Sequence, residues 1–221
     1  MSLVRWLSAT LLLGSALLGA GAAMHPVLPV EASDQLEVIA NMGHWRAVHL
    51  MMLAGSGLVI TGIWARLLVG RQAPSRVMLG ALGVIAIGIA LNALNIAYMA
   101  GAGTVMAEHY RAGDAAIVRV FEATHPIGLM AARFGNFIIA LGALLLGWSE
   151  WQNSGERTAP LLAGLAWVAA AGGLMGALFF SEASRMTLAA VALISGWQIV
   201  VGFLGVRGGR DVSAAATSVR G

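Results

Sequence analysis

Six long apolar stretches alternate with short polar ones along this chain, and the alternation predicts a bundle of membrane-spanning helices. A spanning helix needs about 20 mainly apolar residues. Stretches at 3–23, 45–69, 77–99, 126–148, 159–180 and 186–206 meet that length. The first follows a single Arg5 and ends in Gly21, Ala22 and Ala23, so it reads equally as an anchor and as a secretory signal peptide. Removal of that peptide would leave five spans.

The polar stretches carry their own predictions. Pro26 and Pro29 forbid continuous helix after the first span. Glu31, Asp34 and Glu37 then recur at every third position, which predicts a short amphipathic helix on the membrane surface. The longest internal connection is expected at 100–124, where Glu108, His109, Arg111, Asp114, Arg119 and Glu122 cluster. Thr124 is the expected N-cap of the fourth span, with Pro126 harmless in its first turn. Residues 207–221 are small and polar and predict a disordered cytoplasmic tail. The expected architecture is one all-α transmembrane domain.

Composition strengthens this picture. Hydrophobic residues make up 59% of the chain and charged residues 10%, with a mean hydropathy of +0.83. Soluble domains carry roughly 25% charged residues, so lipid must solvate much of this surface. The 29 glycines agree, since Gly is more frequent in transmembrane helices. All 13 basic residues are arginine, set mostly at segment ends, and a net charge of +3 gives no footprint for nucleic acid.

The arginines also predict orientation. Arg5, Arg66, Arg71, Arg76, Arg157, Arg207, Arg210 and Arg220 fall on one side, against Arg46, Arg111, Arg119 and Arg185 on the other. The positive-inside rule then places both termini in the cytoplasm, in a bacterial inner membrane. Glu31, Asp34, Glu37, Glu108, Asp114, Glu122 and Glu182 all fall on the opposite side. The lack of cysteine excludes disulfides, Cys-ligated clusters, c-type haem and Cys-type zinc sites.

That topology gathers all five histidines, His25, His44, His49, His109 and His125, toward one face. His49 shares a helix face with Trp45, Met52 and Ser56, whereas His44 points about 140° away. Glu122 and His125 form one E-x-x-H pair. Di-iron bundles use two such pairs with two further glutamates, so that assignment has little support. The candidate metal ligands are His44, His49, Glu108, His109, Glu122 and His125, and a b-type haem would take His49 and His125 as axial ligands. Methionines 24, 42, 51, 52, 99, 106 and 186 fall on the same side, and thioether with imidazole favours copper(I).

Each of these features has a structural reading too. Histidine and Trp45 at a boundary serve as interfacial anchors, Glu122 complements a helix dipole, and methionine at helical spacing fills cores. Gly172 and Gly176 have the spacing of close helix packing.

The polar residues inside the spans are Asn92, Asn95, Arg133 and Asn136. Arg133 lies about 12 Å along the fourth span, where even the mildest scale charges an arginine about 2.5–3.5 kcal/mol. It must reach outward, meet Glu122 or Glu182, or bond Asn92 and Asn95.

Three functions compete on these residues. One is an electron-transfer or metal-handling subunit holding haem b or a His/Glu-ligated ion. Another is a cofactor-free scaffold bound to other membrane subunits or to copies of itself. A small transporter, with Asn92, Asn95, Arg133, Asn136 and Gln198 along its path, is the third. No span carries an acidic residue and no inverted halves are visible, which weighs against transport. A hydrolase is weaker still, since Ser56 and His49 stand about 10 Å apart along one helix.

Overall fold

The computed structural model describes residues 2–69, 74–152, 157–179 and 185–208, and these are helical with no strand. The helices are α1 (Leu3–Met24), α2 (Ala32–Asn41), α3 (Trp45–Gly62), α4 (Ala65–Val69), α5 (Arg76–Tyr98), α6 (Thr104–Arg111), α7 (Ile117–Gln152), α8 (Ala159–Phe179) and α9 (Arg185–Gly208). Five helical segments among the described residues are long and apolar enough to cross a membrane, the character of a multi-pass membrane protein. The tail beyond Gly208, with Arg210 and Arg220, lies outside the described residues, as do Arg71 and Glu182.

The long helices form a closed ring in the order α1, α3, α5, α7, α8, α9 and back to α1. Glycine lets two of the pairs approach to backbone contact. On α1 and α3, Gly14 faces the Gly55 carbonyl, and Gly62 abuts the Leu11 backbone. On α5 and α7, Gly88 meets the Gly135 carbonyl and Gly142 meets Ile85. Gly14 and Gly21, Gly55 and Gly62, and Gly128, Gly135 and Gly142 each recur at intervals of seven. That period holds one stripe against a partner in a left-handed crossing. In α8, Gly173 packs on α7 against Ala140.

α9 returns to α1 at the end where the described chain begins. A side chain at Gly205 would strike Ser8 and Val69, and one at Gly202 would strike Leu12. Leu13, Leu50, Ile87, Phe134, Leu161 and Phe203 stay exposed on the outside of the ring, as lipid-facing positions should.

One half of the ring interior is filled. Leu11, Val59, Ile63, Leu82, Ile85, Leu146, Leu162 and Trp197 form its apolar core. Here the second span breaks at Ile63 and Trp64, between α3 and α4. The break turns Arg66 inward, where Nε and Nη2 donate to the Glu150 carboxylate at 2.6 and 2.5 Å. Arg66 is 3% and Glu150 0% exposed. Ser149, also buried, sits 2.8 Å from Ser75, whose hydroxyl caps α5 at Met78. We call this the Arg66 end.

At the opposite, histidine end the expected loop 100–124 is absent. α5 continues through a π-helical turn, Met99–Gly103, into α6, and α7 begins at Ile117. With 36 residues α7 is about 54 Å long, well beyond a hydrocarbon core of about 30 Å. Both helices therefore stand out of the spanning region as a hairpin. It is closed at Gly113, whose φ of 92° suits glycine, and Asp114 Oδ1 accepts from the Ala116 N–H.

The charges that suggested a loop lie on the hairpin's outer faces. Its inner faces present Met106, Ala107 and Phe121 to Leu36 and Ile39 of α2, forming a second apolar core with Trp45 and Met99. Pro126 consequently lies inside α7. Thr124 is not an N-cap: its hydroxyl donates to the Val120 carbonyl at 2.8 Å.

Candidate functional site: a polar chamber beneath a histidine cluster

The ring encloses a chamber of about 240 Å³ in the half nearer the histidine end. Leu18, Ile89 and Ile139 both line it and pack on the core, so the core forms its floor. The walls are largely apolar, with Ala132, Ile96, Leu129 and Gly173 among them. Ser56, Asn92, Asn95, Asn136, Ser195 and Gln198 supply polar groups, and His25 and Met52 also line it. Among the described residues, His25 is the one ionisable side chain in the lining.

Three of the four intramembrane polar residues named from sequence meet here. Asn92 Nδ2 donates to Asn136 Oδ1 at 2.6 Å, which joins α5 to α7. Asn95 lies one turn beyond Asn92 and faces the gap left by Gly128. Its Oδ1 is buried with no hydrogen-bond partner among the described residues. On the far wall, Ser15 donates to Gln198 Oε1 at 2.9 Å. Arg133 is half-buried on α7 outside the lining.

His25 ends α1 and folds over α3. Its ring centroid lies 4.9 Å from that of Trp45 and 5.1 Å from that of His49, and Trp45 and His49 are 4.2 Å apart. His49 is 2% exposed and Trp45 also 2%, so neither acts as an interfacial anchor. Trp45 Nε1–H donates to the Met99 carbonyl at 3.2 Å, satisfying an acceptor at the π turn. The Trp45 carbonyl accepts from His49 Nδ1 at 2.9 Å, and the Pro26 carbonyl accepts from His25 Nδ1 at 2.7 Å. A carbonyl oxygen only accepts, so each ring carries its proton on Nδ1 and presents Nε2 as a lone pair. Burial lowers the His25 pKa from its usual 6.5, against the opposing pull of the Pro26 carbonyl.

The other metal candidates are dispersed. His125 is buried between Phe121, with centroids 4.4 Å apart, and Tyr98, at 6.1 Å, while Glu122 is exposed on another face of α7. His44 is exposed at the start of α3, and Glu108 and His109 are exposed on α6. His109 pairs loosely with Asp114, at 3.8 Å. No three His, Asp or Glu side chains gather to hold a metal ion among the described residues. His49 and His125, the expected haem pair, occupy separate aromatic packets, and neither lines the chamber.

Sequence reasoning placed His25 on the histidine face but left it out of the candidate ligands, and it passed over Glu150. Loop closure brings His25 to His49, and only its position after Pro-flanked, apolar α1 hinted at burial. Glu150 was assigned to a connection. Its signal was the Trp148 to Trp151 run, which continues a helical period. No protein-family model, curated protein or solved structure matches this chain.

Proposed function

We propose that this protein binds a small, uncharged, partly apolar molecule in the intramembrane chamber, with entry from the histidine end. Membrane and orientation follow the arginine count, which favours a bacterial inner membrane with the Arg66 end in the cytoplasm. Ligand sites are mostly apolar pockets of roughly 300–1,000 Å³ with a few placed polar groups, and a chamber of about 240 Å³ falls just below that range, which restricts the ligand to a small molecule.

The unpaired, buried Asn95 Oδ1 carries the reading. An unsatisfied buried acceptor costs about 1–3 kcal/mol, and a ligand that donates to it recovers that loss. Among the described residues no acidic or arginine side chain lines the chamber, which argues for a neutral ligand beside Asn95, because a free ion there would have neither counter-charge nor coordinating nitrogen or sulfur. The floor of packed core makes this a blind binding site in the present conformation, and a carrier would have to open that floor.

Haem between His49 and His125 gains no support from these positions. A scaffold role alone leaves the polar chamber without a use. The test is native mass spectrometry of gently extracted protein, followed by a thermal-shift screen of small neutral molecules. Wild type should retain or be stabilised by one class of molecule. Ala132→Phe should lose that binding by filling the chamber, and Asn95→Leu should weaken it about tenfold, the effect of one hydrogen bond. Absence of any such molecule for wild type, or equal binding by folded Ala132→Phe, would overturn the proposal.

A further inference from the structure

The histidine cluster at the chamber mouth has chemistry of its own, independent of the neutral ligand below it. We propose that His25 and His49, with the thioether of Met52, form a site for one copper(I) ion. Metal-ligating histidines almost always fix their second nitrogen through a hydrogen bond to a carbonyl or carboxylate. Both rings meet that condition, through the Pro26 and Trp45 carbonyls. Their centroids lie 5.1 Å apart at 67°. Two imidazoles sharing one ion through metal–nitrogen bonds of about 2.0 Å hold their centroids roughly 5 to 6 Å apart.

Met52 follows His49 by three positions, lines the chamber with His25, and packs against Gly21, one turn below His25 on α1. The absence of a Cβ at Gly21 is what lets the Met52 side chain, Sδ included, lie against α1 one turn from His25.

Charge selects the ion. No carboxylate joins these two histidines among the described residues, so the ligand set is neutral. The cost of placing an ion in a low-dielectric site rises with the square of its charge, which favours a monovalent ion over zinc(II) or copper(II). Thioether and imidazole donors make copper(I) the fitting one. Trp45 packs against His49 at a tilt of 38°, and both rings are buried.

The experiment uses the full chain in detergent or nanodiscs, titrated anaerobically with copper(I) against a chromogenic copper(I) chelator, with zinc(II) in parallel. Wild type should withdraw one copper(I) per chain and hold zinc(II) at least tenfold more weakly. His25→Ala and His49→Ala should each lower copper(I) affinity tenfold or more, and Met52→Leu by less. X-ray absorption should show nitrogen and sulfur neighbours, with sulfur lost in Met52→Leu. His25 lies at the end of α1 and is only half-buried, so His25→Ala stays informative if His49→Ala fails to fold. Failure of folded wild type to withdraw copper(I), copper binding unchanged in His25→Ala, or equal affinity for zinc(II) would each overturn the assignment. The neutral-ligand screen reads a different part of the chamber, and Ala132→Phe should leave copper(I) binding intact.

Discussion

The two ends of the ring solve the problem of burying polarity in opposite ways. At the Arg66 end a full ion pair is buried, and both partners are satisfied by each other at bidentate distances. The surrounding interior is apolar and packed. At the histidine end the buried groups are neutral, several are shared between helices, and Asn95 keeps an acceptor unpaired beside open volume. Ser8 Oγ and Trp197 Nε1 are also unpartnered among the described residues, but they sit in packed interior, so what distinguishes Asn95 is the open volume beside its acceptor. Formal charge is therefore a poor guide to the working site in this molecule.

That contrast can be broken most forcefully at the lock. Arg66→Ala should cost about 3–5 kcal/mol of unfolding free energy, because it strands Glu150 at 0% exposure. The double variant Arg66→Met/Glu150→Leu should recover most of the loss. Denaturant titration in mixed micelles measures both, and near-normal stability of Arg66→Ala would erase the distinction between the ends.

A smaller effect is expected in the chamber wall. Asn136→Ala removes one interhelical hydrogen bond from Asn92, a contact worth about 0.6 kcal/mol on average and up to about 1.7 in membrane bundles. Its stability loss should be modest while ligand binding changes. A loss as large as that of Arg66→Ala would make the asparagine pair a lock as well.

The smallest effect concerns pH. The His25 pKa is lowered on folding, so the unfolded chain binds the proton more readily and stability rises with pH. The His25 contribution should be fully present above pH 6.5 and decline as pH falls below it. His25→Phe should flatten this slope. An unchanged slope would show that His25 does not set it.

The all-helical, multi-pass character was legible because apolar runs of membrane length leave few alternatives, although five helical segments rather than six meet that length among the described residues. Asn92, Asn95 and Asn136 stood out since amides are rare inside such runs. Legibility failed wherever tertiary contact redirected a polar residue. Arg66 looked like a flanking anchor until the break at Ile63 and Trp64 swung it toward Glu150. The stretch 100–124 looked like a connection because Glu108, Arg111, Asp114, Arg119 and Glu122 interrupt its apolar residues. Only a partner such as α2, which accepts Met106 and Phe121, makes those few apolar positions decisive. His125 and Glu122 share an E-x-x-H spacing, yet one is buried and the other exposed. A spacing of three cannot determine which face a neighbouring helix will cover.

The closure of the ring through α1 and α9 has a consequence in time. α1 must wait for α9 before Ser15 can meet Gln198 and before Ser8 and Leu12 receive Gly205 and Gly202. Until α9 is in place, the other helices form an open crescent with one flank of the chamber, where Ser195 and Gln198 belong, unwalled. α9 acts as the keystone, and the interior becomes distinct from the bilayer only when it docks.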